Sequence, residues 1–173
     1  MFLKIFGLLI IFIACSFGGV LLGNNFIKRE NELKDLERAL TELENQILYI
    51  HEPLPFAFKS VGERNKGNIK SLFYETSELL SNGEVKDVYN ALKVSFENLN
   101  EYLAMKEDDK NLVLNLGKSL GALDKEGHRK IFELCLKELK VRIEESHEES
   151  LKNSKMYRCI GVSVGLTIII FLI

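Results

Sequence analysis

The sequence has no tryptophan and only two prolines, three cysteines and three histidines in 173 residues. With so few turn-formers and no tryptophan, a strand-rich, turn-rich fold is disfavoured. Two of the cysteines, Cys15 and Cys159, lie in apolar ends and the third, Cys135, on a helical pattern, so no disulfide framework is available. Excess positive charge is lacking too: 23 basic residues face 25 acidic ones, a net charge of -2, and no nucleic-acid partner is expected. Charge itself is missing from residues 5–27 and again from 159–173, while every acidic residue lies between Glu30 and Glu149. The ordinary 46% hydrophobic content therefore averages two apolar ends with a highly charged middle, which excludes a simple cytosolic enzyme. The length suits one domain.

What is present at the ends reads as membrane anchoring. The first uncharged run is long enough for a helix across a hydrocarbon core that takes about 20 residues, with Lys4 at its start. Phe12-Ile13-Ala14-Cys15 loosely resembles a lipoprotein cleavage box, but the apolar run continues about a dozen residues beyond it, too far for a signal peptide. The last 15 residues would span about 22 Å as a helix, short of the core. Met156 and Tyr157 extend the run, and Lys155 and Arg158 can snorkel. Lys28, Arg29, Lys34 and Arg38 follow the first run, and Lys152, Lys155 and Arg158 precede the second. This asymmetry places the middle in the cytoplasm. The expected organisation is a transmembrane helix over 1–27, a cytoplasmic helical bundle over 28–157 and a transmembrane helix over 158–173.

The middle is patterned for helices. Leu33, Leu36, Leu40, Leu43, Ile47 and Ile50 are spaced 3, 4, 3, 4, 3, and the run stops before Pro53 and Pro55. A short helix over 54–64 should turn Phe58 and Val61 inward. Asn65-Lys66-Gly67-Asn68 is a turn. Ile69, Leu72, Phe73, Thr76, Leu79 and Leu80 mark another helix, ended by Ser81-Asn82-Gly83. Val85, Val88, Tyr89, Leu92, Phe96 and Leu99 mark the next. Asp108 and Asp109 can cap a helix bearing Leu112, Val113, Leu116 and Leu120. Asp124 opens the last, with Ile131, Leu134, Cys135, Leu139 and Ile143 on one face. The fold class is all-α, about six helices. Residues 144–150 offer no apolar stripe, so that stretch is expected to be solvated or to meet a partner through charge. It should run on into the C-terminal span.

No catalytic constellation emerges. Gly117-Lys118-Ser119 imitates the end of a phosphate loop, but the pattern requires a glycine where Leu112 stands, after a strand that is not there. His147 beside Glu144 and Glu148 fits a solvated face better than a metal site, and Cys135 fits a core position. No cofactor is expected. Close-packing glycines stand out instead. Gly19 and Gly23, then Gly161 and Gly165, each lie one turn apart within the apolar runs, the spacing that lets membrane helices approach closely. Gly117 and Gly121 repeat it in the middle, flanked by Leu116 and Leu120 and followed by Asp124, as a helix-packing or partner groove.

The order of these parts carries a resemblance. An N-terminal span is followed by Leu40-Thr41-Glu42-Leu43-Glu44-Asn45-Gln46-Ile47-Leu48-Tyr49 and Glu52-Pro53-Leu54-Pro55, then by Leu116-Gly117-Lys118-Ser119-Leu120-Gly121 with Asp124, then by a C-terminal span. Over essentially the whole chain this resembles the stage III sporulation protein AB family of endospore-forming Firmicutes, with Ile50 and Glu52 departing from its pattern. The resemblance implies a likeness to the platform proteins of type II secretion and type IV pilus machines. It further implies a non-enzymatic part in a channel complex joining mother cell and forespore, with the chain a two-pass protein of the mother-cell membrane. Implied partners are a secretion-type ATPase (stage III sporulation protein AA), other stage III sporulation membrane proteins, membrane lipid and a second copy of the chain. A membrane-anchored helical sensor is the alternative from another class.

Overall fold

The structure, a computed structural model, describes residues 2–120 and 125–172; for residues 2–6, 8, 9, 11, 12, 16, 125, 158, 169 and 172 it describes the backbone only. Among the described residues there are six α-helices, one π-helical turn and no strand. The helices are α1 (Phe2–Asn45), α2 (Leu54–Arg64), α3 (Gly67–Ser81), α4 (Val88–Asn98), α5 (Glu107–Leu120) and α6 (Lys125–Leu172), with the π-helical turn at Gln46–Ile50. Both end helices are continuous from the apolar run into the charged middle. No helix of the described residues is long and apolar enough to cross a membrane. Two compact units divide the chain: an inner unit, Asn31–Glu144, and a terminal unit made of Met1–Glu30 with Glu145–Ile173. Residues 28–30 and 145–157 of the expected 28–157 bundle thus lie in the terminal unit.

The inner unit is built on the periodicities noted above. Leu33, Leu36, Leu40 and Leu43 of α1 are buried against Phe58 and Val61 of α2, Leu72 and Phe73 of α3, Leu92 and Phe96 of α4, Leu112 and Leu116 of α5, and Phe132 and Leu139 of α6. Each such side chain contributes about 1.5–3 kcal/mol on leaving water. The Phe58 and Phe73 rings pack 5.5 Å apart. Two expected core residues lie outside. Ile50 is 64% exposed, because the α-helix gives way to the wider π turn at Gln46 and the face carrying Leu43 is carried away from the core. Leu134 is 64% exposed, since the buried face of α6 centres on Phe132, Cys135 and Leu139.

The helix ends follow from local chemistry. The π turn closes on His51, whose φ of 63° is left-handed, with the Gln46 carbonyl accepting from the Glu52 amide at 3.0 Å. Pro53 then caps α2, its carbonyl accepting from Ala57 at 2.9 Å. Gly67 and Gly83 take the left-handed conformation, φ 59° and 68°, at either end of α3. At α4, the Asp87 carboxylate accepts from the Asn90 amide at 2.8 Å. At α5, fully buried Asp109 accepts from the Lys106 amide at 2.9 Å, the reciprocal half of a capping box, and Arg142 of α6 reaches its other oxygen at 3.5 Å.

A buried carboxylate ties the inner unit's outer elements together. Glu32 of α1 accepts from the Asn68 side chain and from the Ala104 amide, both at 2.7 Å, and Asn68 also donates to the Tyr102 carbonyl. This joins α1, the start of α3 and the α4–α5 loop through one group that is 7% exposed.

Candidate functional site

The terminal unit holds the first set of glycines. Gly19, Gly23, Gly161 and Gly165 are all buried, although glycine brings no apolar side chain to bury. For Gly19, Gly23 and Gly161 backbone contact explains it. A methyl group added to Gly19 would sit 2.7 Å from the Tyr157 carbonyl oxygen and 3.0 Å from the Gly161 Cα. One added to Gly161 would sit 2.9 Å from the Cys15 carbonyl oxygen, and one on Gly23 3.0 Å from that of Ser154. Gly19 opposite Gly161 and Gly23 opposite Ser154 fix an antiparallel pairing of α1 with α6 in which the two backbones touch. Gly7 and Gly18 have nothing within 4 Å of such a methyl, so the contact selects particular glycines.

Serine continues the seam where glycine stops. Ser146, Ser150 and Ser154 are 1%, 6% and 7% exposed and lie one turn apart, so the 144–150 stretch has an inward face made of small polar residues. Beside them the Arg29 guanidinium donates to Glu149 at 2.9 Å, and His147 Nδ1 lies 2.9 Å from Glu30. Arg29 and Glu30 are themselves buried. Rather than being wholly solvated, this stretch meets its charged partners within the same chain. Phe26 and Tyr157 stack with ring centres 5.6 Å apart. Facing away are Ile13, Phe17, Leu21 and Leu22 on α1 and Ile160, Val164, Leu166 and Ile170 on α6, all exposed. The unit is small and polar within and apolar without.

In the inner unit, Gly117 of α5 packs against α4. An added methyl would meet Leu92 Cδ1 at 2.8 Å and the Tyr89 Cα at 3.4 Å. Leu120 is buried in the core. Gly121 and Asp124, the other two members of that candidate groove, lie outside the described residues. A glycine that escaped notice in the sequence makes the closer backbone contact: Gly62 of α2 would place a methyl 3.1 Å from the Tyr74 amide nitrogen and 3.4 Å from the Lys70 carbonyl oxygen on α3. It stands alone, without a second glycine one turn away, so spacing did not mark it.

The titratable groups offer little chemistry. Burial, aided by the charge of Glu138, pushes the Cys135 thiol up to about 12, which leaves it protonated and unreactive at neutral pH. A hydrogen bond to Glu138, at 2.9 Å, holds the Arg142 guanidinium above its ordinary range. Among the described residues no group of three His, Cys, Asp or Glu side chains is placed to hold a metal ion.

Comparison with known proteins adds a family to this geometry. The model of a family described as Stage III sporulation protein AB matches residues 4–173. The Stage III sporulation protein AB of Bacillus subtilis (strain 168) is 26% identical over 170 residues, covering 98% of this chain and 99% of that one. A solved structure of Stage III sporulation protein AB (SpoIIIAB) has the same fold, with a TM-score of 0.66 at 24% identity over 71% of this chain and 96% of that one. A family model that covers all but the first three residues, and a helical fold shared at that level, leave one assignment: the chain belongs to the Stage III sporulation protein AB family and has its role in sporulation.

Proposed function

We propose that the chain is a non-enzymatic, membrane-anchored platform in the mother cell–forespore channel complex of endospore formation. In this reading the terminal unit is a two-helix anchor and the inner unit is the cytoplasmic part that meets a secretion-type ATPase, stage III sporulation protein AA, and other stage III membrane proteins. One observation carries it: Gly19, Gly23, Gly161, Gly165, Ser146, Ser150 and Ser154 are buried in the terminal unit, while Ile13, Phe17, Leu21, Leu22, Ile160 and Ile170 are exposed. In water that arrangement exposes apolar area for no return, whereas in lipid it is favourable, because helices there associate through small residues that permit close contact. Lys28, Lys152 and Lys155 border the apolar surface on the side of the inner unit's sequence and orient that unit to the cytoplasm.

The test has two parts. The full chain in sporulating cells should stay with membranes after alkaline extraction, and a reporter active only outside the cytoplasm, inserted at the exposed turn of Gly83, should stay silent. Capture of the full chain from the same cells should recover the ATPase. Release at alkaline pH, or a strongly active reporter, would overturn the anchor or its orientation. An intact anchor with no ATPase recovered would favour the sensor reading over the platform.

A further inference from the structure

We infer that the end of α1 is a two-state element: the π turn at Gln46–Ile50 exchanges with an ordinary α-helical turn, and the exchange carries Ile50 between solvent and core. Neither state depends on a membrane. Pattern and position conflict at Ile50, the last member of the spacing that runs through Leu33, Leu36, Leu40, Leu43 and Ile47. The four leucines are 0–1% exposed and Ile47 packs against the core, yet Ile50 is 64% exposed. A π turn rotates less per residue than an α-helix, so by Ile50 the side chain has fallen off the face that Leu43 sets. It lies instead in a surface groove of about 600 Å³ whose other lining residues, among them Thr41, Glu42, Asn45 and Arg64, are all polar. The turn also ends on strain. His51, at φ 63°, is the only non-glycine residue in the left-handed region among those described, a conformation that favours glycine. Strain of this kind collects at switch segments.

The backbone has an alternative that loses no hydrogen bond. In the π turn the Gln46 carbonyl accepts from the His51 amide and, at 3.0 Å, from the Glu52 amide. In an α-helical turn Gln46 would accept from Ile50 and Ile47 from His51, two bonds for two. His51 would return to the right-handed region, and Ile50 would rejoin the face of Leu43 and Ile47. Pro53 has no amide hydrogen and stops the helix in either state. Residues 51–53 belong to no helix and can absorb the difference, so α2 keeps its place on α3. The π state displays Tyr49, Ile50 and Phe56 together, all exposed, at the junction of α1 and α2; the α-helical state withdraws Ile50 and is populated to about a per cent or more.

The experiment follows the Ile50 side-chain methyl by NMR in the full chain purified in detergent, with isoleucine methyls labelled and the Ile50 signal assigned through Ile50→Val. Relaxation dispersion should show microsecond-to-millisecond exchange at Ile50. His51→Gly lifts the penalty on the left-handed residue, favours the π turn roughly five- to thirtyfold and should flatten the profile. His51→Val penalises the left-handed conformation further and should bury Ile50, whose methyl would lose most of its relaxation by a soluble gadolinium chelate. A flat profile at Ile50 in the wild-type chain overturns the proposal. So does an Ile50 methyl as accessible in His51→Val as in the wild type. Exchange of equal size in the wild type and His51→Gly overturns it as well, since the left-handed residue would then not separate the states. Should His51→Val fail to fold, the wild-type and His51→Gly profiles decide alone.

Discussion

Glu32 shows how one residue can hold three parts of a small bundle. Its two carboxylate oxygens accept from the Asn68 side chain and the Ala104 amide at 2.7 Å, in a position where water has little access. Changing Glu32 to Ala takes the acceptor from two half-buried donors, although the Asn68 side chain keeps its bond to the Tyr102 carbonyl; losing hydrogen bonds to a charged group of this kind costs about 1–3 kcal/mol. A chemical denaturation curve should show a lower midpoint and an unchanged slope; an unchanged midpoint would mean that the clasp adds nothing. Glu44 acts in the opposite direction. Burial raises its pKa, Arg129 opposes the rise and Glu133 adds to it. The folded state thus holds the proton more tightly than the unfolded chain does. Ionisation costs stability, fully so above the raised folded value, and the cost vanishes as pH falls below the unfolded value. Glu44→Gln should raise the melting temperature at neutral pH, and the gain should fade in acid. A gain that stays constant with pH would place its cause elsewhere.

At the scale of the element, the two inner glycines differ in what they touch. Gly62 approaches backbone on α3, which cannot yield without moving the helix. Gly117 approaches the end of the Leu92 side chain, which can rotate. Gly62→Leu should therefore destabilise by about 1–3 kcal/mol or more. Gly117→Ala should be close to neutral, because the roughly 1 kcal/mol gained in helix propensity offsets a small adjustment of Leu92. Thermal melts of the two variants would check the order, and equal losses would contradict it. The helices themselves were legible. Proline at 53 and 55 and the break at 65–66 delimit α2 at the expected residues, although α3 already begins at Gly67 inside the expected 65–68 turn, and the leucine spacing marks the buried face of α1. The π turn was not legible, because nothing in the pattern of Ile47 and Ile50 separates a wide turn from an ordinary one. The serine seam of α6 escaped for a different reason. Ser146, Ser150 and Ser154 have helical spacing, but a search for apolar stripes passes over hydroxyls. The glycine pairs of the terminal unit could be found because spacing alone identifies them, whereas their outward-facing neighbours needed the structure.

For the whole molecule, the division at Asn31 and Glu144 matters most. The inner unit has its own continuous core, with side chains from all six helices. A fragment spanning residues 31–144 should be soluble, give a helical circular dichroism spectrum and melt in one cooperative transition. A broad transition without a baseline would show that the core depends on the ends. Among the described residues the terminal unit buries no apolar side chain; its contacts include backbone against backbone, the Phe26–Tyr157 stack, and the Arg29–Glu149 and Glu30–His147 pairs.

Because the terminal unit is made from both ends of the chain, its assembly has a schedule. Gly19 leaves the ribosome well before Gly161. At roughly 5–20 residues per second, the stretch between the two segments takes on the order of 6–23 s to synthesise. Throughout that interval the seam of α1 has no counterpart, while the residues that complete the inner bundle arrive one helix at a time. The hairpin therefore forms only after the inner unit has been translated. A truncated product that stops before Glu145 would leave the first helix with a bare glycine face, open to whatever other helix it meets.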